Sequence, residues 1–203
     1  CYDSSEIDVF LEDYVYYAML LITLYEVDCD ELSLEKSKTI MKEIWEIFYN
    51  KDTQLLQKNR IKENDLFVSP IDLNDNNIPN GNSVYLNLCN KLYTITNDKI
   101  WIEKIEILKK SFHQVLNTSF SQMFSFIKTL DICDDSISFS FLGNQNSIKD
   151  IKNNLQKNYL GRATFVYKNK GETEGSVVVC KNQTCSEKLK NLAEINKYIE
   201  NKL

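Results

Sequence analysis

Arginine, histidine, glycine and proline are scarce in this chain: two, one, five and two in 203 residues. Arg60 and Arg162 are the only guanidinium groups, so the side chain that grips phosphates and base edges with paired donors is almost missing. A net charge of −5 also removes the concentrated positive field that nucleic acid requires, and no nucleic-acid partner is expected. With His113 the only histidine, the group best suited to acid–base work at neutral pH occurs once, next to the apolar Phe112. Five glycines and two prolines place the chain outside collagen-like and low-complexity classes. The longest apolar stretch, Val15 to Leu24, is interrupted by Thr23; it is too short to span a bilayer and reads as a buried helix, so no membrane partner is expected. No nucleophile elbow, phosphate-binding loop or dinucleotide fingerprint is present, and Gly143-Asn144 alone is a weak anion signal. No cofactor is expected.

What remains is enough to fold. At 43% hydrophobic and 26% charged residues, the chain can bury a core of one large domain or a domain with an appendage. Six cysteines, Cys1, Cys29, Cys89, Cys133, Cys180 and Cys185, are scattered, mostly in apolar helical patterns. Reduced thiols in a cytoplasmic protein are the simplest reading. Cys180 and Cys185 stand at C-x4-C, which fits neither a C-x2-C redox pair nor a zinc knuckle. A disulfide across the turn, and a redox role through it, are the alternatives to free thiols.

Two regimes follow each other along the chain. Residues 7–131 read as helices. Phe10, Leu11, Tyr14, Ala18, Leu21, Ile22 and Tyr25 recur at three- and four-residue steps; Met41, Ile44, Trp45 and Phe48 form a second stripe behind a Ser33 cap. A third helix starts near Ser83, a fourth is capped by Asp98, and a fifth starts near Ser119 with Phe120, Met123, Phe124, Ile127 and Leu130 on its apolar face. Short links within the first two pairs make antiparallel α-hairpins. Between the pairs, about residues 50–82 lack helical period; Leu55-Leu56 and Leu66-Phe67-Val68 allow at most a small β-ribbon. From Ser136 the period changes to two. Ile137, Phe139 and Phe141 alternate with serines, a helix carries Ile148, Ile151 and Leu155, strands follow over 163–167 and 176–180, and a last helix runs from about Glu187. The expected domains are therefore a helical part, 1–133, and a small α/β unit, 134–203, whose first two strands run parallel.

Three motifs in order carry a resemblance. Phe10-Leu-Glu-Asp-Tyr14 opens the apolar helix, Asp75 precedes Pro79-Asn-Gly-Asn-Ser83, and Val178-Val-Cys-Lys-Asn-Gln-Thr-Cys185 stands near the end. Together they resemble the C-terminal part of the thioredoxin-domain-containing, spermatogenesis-associated protein family, over about residues 7–203. Members of that family look like a thioredoxin-like domain followed by an (α/α)6 barrel akin to sugar epimerases and six-hairpin glycosidases. The chain departs from the pattern at Glu12, at Asn80, at Gln54-Leu55-Leu56 where a Gly-Gly-aromatic run is usual, and at Ser69 where an arginine is usual. The resemblance implies a mainly α fold: α-hairpins of an incomplete (α/α)6 toroid followed by the α/β unit. Such a barrel needs about twelve helices, and five amphipathic ones leave a flank of apolar surface uncovered. The opening at Cys1 fits a bacterial lipoprotein or a piece of a longer chain; the missing helices favour the piece, with the first barrel half and thioredoxin domain supplied in cis or in trans.

By the same resemblance, the barrel mouth takes a carbohydrate-like small molecule. Asp13 and Asp75 are the candidate acid/base groups, with Glu12, Tyr14, Asn82 and Ser83 as ligand-binding neighbours. Each has an ordinary alternative. Glu12 and Asp13 also suit the positive end of a helix dipole, Tyr14 suits a packed ring, and Ser83 suits a helix cap beside Gly81. A histidine pair, as in the related epimerases, is absent. The rival reading is a non-catalytic module that docks on a thioredoxin-bearing partner through the uncovered flank.

Overall fold

The computed structural model describes residues 10–59, 71–159, 161, 163–168, 174–182 and 184–202, the side chains of 114–120 and 202 excepted. Cys1, Leu66-Phe67-Val68, Ser69 and both arginines lie outside these residues, as do the side chains of Val115 and Phe120. Among the described residues there are seven α-helices and two small sheets; the protein is mainly helical.

Helix α1, Leu11–Asp28, buries Leu11, Val15, Ala18, Leu21, Ile22 and Tyr25, the three- and four-residue stripe of its sequence. Phe10 is not part of that face: it precedes the helix, 40% exposed, and bridges to Asn59. Cys29 closes the helix in the left-handed region, φ 59°, with its N–H on Tyr25 O. Helix α2, Glu31–Phe48, starts earlier than a Ser33 cap implies. Asp30 is the cap, accepting from Leu32 N at 3.0 Å and Ser33 Oγ at 2.6 Å, because its carboxylate satisfies two donors where a hydroxyl satisfies one. A two-strand ribbon, β1 (Tyr49–Asn50) and β2 (Leu55–Leu56), then turns the chain back antiparallel.

Helix α3, Gly81–Thr96, is buried on nearly all sides, as expected of a helix surrounded by others: α1, α4 and α5 all pack on it, and a strand of the C-terminal unit touches its far side. Its cap is Asn80, whose Oδ1 accepts from Ser83 N at 2.9 Å; Ser83 is inside the first turn and does not cap. Asp98 does cap α4, Lys99–Ser119, through Ile100 N. Helix α5, Phe124–Asp134, follows a 3-10 turn at Phe120–Gln122. That turn resets the helical phase. Phe126 is fully buried, its ring stacked on Phe112 at 3.8 Å between centroids, while Phe124 and Ile127 point outward at 66% and 37% exposure. Met123 is buried, and of the described residues of the expected apolar face it and half-buried Leu130 reach the core.

The helical part ends at Asp134 and the second sheet begins at Ile137. Strand β3 (Ile137–Leu142) runs parallel to β4 (Thr164–Lys168), with helix α6 (Gln145–Tyr159) between them, and antiparallel to β5 (Ser176–Lys181). A two-residue strand, β6 (Thr184–Cys185), completes the order β4-β3-β5-β6. Gly143, at φ 125°, makes the sharp exit from β3. The last helix, α7 (Leu192–Lys202), starts later than Glu187, because Leu189 first pairs with Val177 through two 2.9 Å backbone bonds. Asn191 and Glu194 then form a reciprocal cap.

The period of two gives the sheet unlike faces. Phe139, Phe141, Phe165, Val177 and Val179 pack against Ile148, Ile151 and Leu155 of α6 and Ile195 of α7. Ser138 and Ser140 face the opposite way, toward the helical part. A buried ion pair fastens the two parts: Lys91 Nζ lies 2.7 Å from Glu26 Oε1, and that oxygen also accepts from Phe165 N. The carbonyls that end α1 are satisfied from the same side, Val27 O by Lys152 at 3.0 Å and Glu26 O by Gln156 at 2.8 Å and by the Tyr167 hydroxyl.

Candidate functional site

The first turns of α1, α3 and α5 meet at one end of the helical part. A Cβ on Gly81 would meet Leu11 Cγ and Cδ2 at 2.8 Å and Glu12 Oε1 at 3.3 Å, so glycine is what lets α3 begin against α1. Tyr16 donates to Pro79 O at 2.9 Å, which pins the approaching loop to α1. Asp75 ties the same loop to α5. Its Oδ1 accepts from Asn80 N and Nδ2, both at 3.0 Å, and from the Ser125 hydroxyl; its Oδ2 accepts from Ser125 N at 2.6 Å.

These contacts decide what each expected site residue does. Burial works to raise the Asp75 pKa, but the hydrogen bonds from Ser125 and Asn80 outweigh it and hold the carboxyl below its ordinary value. Asp75 is thus an ionised anchor with both oxygens engaged, not a proton donor, although it borders an open hollow of about 330 Å³ with Ile78, Phe124 and Lys128. Asn82 is fully buried: its Oδ1 accepts from Leu56 N at 2.9 Å and its Nδ2 donates to Leu56 O at 2.8 Å, fixing the ribbon to α3. The Ser83 hydroxyl is buried with no hydrogen-bond partner among the described residues. Tyr14 is half-buried with its ring edge against Phe48 at 5.7 Å.

Glu12 and Asp13 behave differently. Both line an open cavity of about 350 Å³ together with Lys58, Asp72, Asn74 and Asn76. Asp13 is exposed and Glu12 half-buried. Three carboxylates, one ammonium and several carboxamides around this opening can accept from and donate to hydroxyl groups. Asp72 and Lys58 are the members missed by sequence reasoning. The turn-rich composition around Asp72 is the only signal for it, since an Asx turn from its Oδ1 to Asn74 N (3.1 Å) orients the loop.

Far from this end, Cys180 and Cys185 are disulfide-bonded, with Cα atoms 4.0 Å apart, whereas free thiols are the simplest reading of their spacing. The pairing follows from register: β6 folds back on β5 so that the two residues stand directly opposite. Cys29, Cys89 and Cys133 are free. Burial pushes the Cys89 thiol well up and the Cys133 thiol to about 11, which keeps both protonated and unreactive at neutral pH. His113 is exposed. Among the described residues no cluster of three or more His, Cys, Asp or Glu side chains is placed to hold a metal ion, and no helix is long and apolar enough to cross a membrane.

No model of a known protein family matches the chain, and no curated protein matches it.

Proposed function

We propose that this chain is the C-terminal segment of a thioredoxin-domain-containing barrel protein, of the spermatogenesis-associated family it resembles, and that the acidic mouth of the barrel binds or processes a carbohydrate-like ligand. In this reading α1/α2 and α3/α4 are consecutive hairpins of an incomplete (α/α)6 toroid. Helices α1, α3 and α5 lie side by side as inner helices and α2 and α4 as outer ones, in line with which helices touch which. The observation that carries the reading is the placing of Glu12 and Asp13 on an open cavity between the start of α1 and the loop that leads into α3. In an α/α barrel this end forms the mouth, and carboxylates there meet sugar hydroxyls. Asp13, the more exposed, is the acid/base or hydroxyl-binding group; Glu12 and Asp72 are its partners, while Asp75 fixes the loop and Asn82 the ribbon beside it.

The test is a titration with glucose and mannose, followed by amide NMR. Shifts centred on Glu12, Asp13, Asp72 and Asn74 are expected, with affinity falling about tenfold in Asp13→Asn and no change in melting temperature. Absence of these shifts, or their persistence in Asp13→Asn, overturns the proposal. One observation favours the rival docking role: Tyr17, Leu20 and Leu24 form an exposed stripe on α1, on which a barrel half or thioredoxin-bearing partner would sit. In that reading Leu20→Glu abolishes docking and Asp13→Asn does not.

A further inference from the structure

The serine face of the second sheet meets polar as well as apolar side chains. It looks onto α3, whose facing residues include Asn87, Asn90, Lys91 and Thr94, and onto α4 and α5. Between them lies a cleft of about 470 Å³, within the range of small-molecule sites. Three side chains on its floor are more than nine-tenths buried: Asn90 at 7% exposure, Ser138 at 8% and Ser140 at 7%. None of their polar side-chain atoms makes a hydrogen bond with any described residue. In a neighbouring crevice of the same seam, Asn87 Oδ1 is buried and likewise unpartnered.

Asn87 Oδ1 is the fully buried unpaired atom of this seam, where buried polar groups are nearly always paired; the polar ends of Asn90, Ser138 and Ser140, on side chains otherwise buried, open onto the cleft with no partner among the described residues. A sheet that only had to seal against helices would carry valines at 138 and 140, as β5 does at 177 and 179 on its other face. Ile102 and Ile105 of α4 give the cleft an apolar wall, suited to the C–H faces of a ring. Every unpaired group on the floor is neutral. Of the charged groups around the cleft, Lys109 is tied to Asp134 at 2.9 Å, while Glu106 and Lys168 carry opposite signs.

We infer that this cleft is a second binding site, for a small uncharged molecule bearing several hydroxyl groups. Asn90, Ser138 and Ser140 are its hydrogen-bonding floor. The site is separate from the acidic mouth and does not depend on it: no residue lines both cavities.

The experiment is an amide NMR titration of the whole chain with two probes, glucose as a ring and sorbitol as an open polyol. Shifts of the Asn90 side-chain amide and the Ser138 and Ser140 backbone amides are expected for at least one probe, and the better probe distinguishes ring from chain. The Ser138→Ala/Ser140→Ala double variant should weaken that binding about tenfold or more, whereas Asp13→Asn should leave these shifts intact. Thr94→Ala, at the rim, gives a milder loss if the double variant does not fold. If the three residues are silent to both probes, or if their shifts survive the double variant unchanged, the groups merely hold water and the inference falls.

Discussion

Asp75 shows how much one side chain's partners decide its role. Its two oxygens serve donors on α3's cap and α5's first turn, so it works as an anion clamped between two helix starts, where the helix dipoles also favour negative charge. Asp75→Asn halves the acceptor capacity and removes the charge; a loss of about 1–3 kcal/mol is expected from broken bonds to buried donors, read as a lower urea midpoint at pH 7. The pH dependence has a definite sign. The folded pKa is held below the ordinary 3.8, so the stabilisation is complete above that unfolded value and is lost as pH falls through the lower folded one. The gap between wild type and Asp75→Asn therefore narrows below about pH 4, and a gap that stays constant down to pH 2 contradicts this account. The sequence around it shows the loop and the helix start but not the assignment. In Asn80-Gly-Asn-Ser83 three residues are competent caps, and a shift of one position decides which caps, which reaches Leu56 and which is left without a partner.

The joint between the helices and the sheet is likewise a matter of charge inside the fold. Glu26 and Lys91 are mid-pattern residues of α1 and α3, with side chains 2% and 12% exposed, and nothing in either helix's own periodicity marks them as partners. The pair is expected to behave as buried ion pairs do: Lys91→Met strands an unpaired carboxylate and costs about 3–5 kcal/mol, whereas Glu26→Leu with Lys91→Met recovers most of that loss. Chemical denaturation of the two variants measures it; a single variant no worse than the double one refutes the coupling. Strand β3 is readable because alternating Ser and Phe leave no helical option, β4 and β5 because they are short β-branched and aromatic runs, and parallel pairing of β3 and β4 follows from the helix between them. Strand β6 is not, since two residues carry no period, and with it goes the disulfide. The phase of α5 was lost for another reason. The 3-10 turn before it breaks the count, so Phe126 rather than Phe124 and Ile127 reaches the core.

At the scale of the whole molecule, two helices of the helical part carry exposed apolar side chains. Helix α3, at the centre, is covered all round, while α1 and α5 on either side of it each present an apolar stripe: Tyr17, Leu20 and Leu24 on one, at 49%, 52% and 37% exposure, and Phe124 and Ile127 on the other. Residues three and four apart on one helix face form a continuous surface, and surfaces of this kind mark contact sites or drive association. Under the proposed toroid, further hairpins would cover these stripes. They are expected to make the chain self-associate. Light scattering across a dilution series should show a mass above the 23.7 kDa of one chain at high concentration, falling toward it on dilution. Leu20→Lys with Leu24→Lys should hold the protein at the mass of one chain throughout. Because both residues face solvent, the same variant should melt within a degree or two of the wild type, about the shift of a neutral surface change. A wild type that stays monomeric at every concentration would mean that these stripes are ordinary exposed surface, and would count against the proposal that further hairpins cover them.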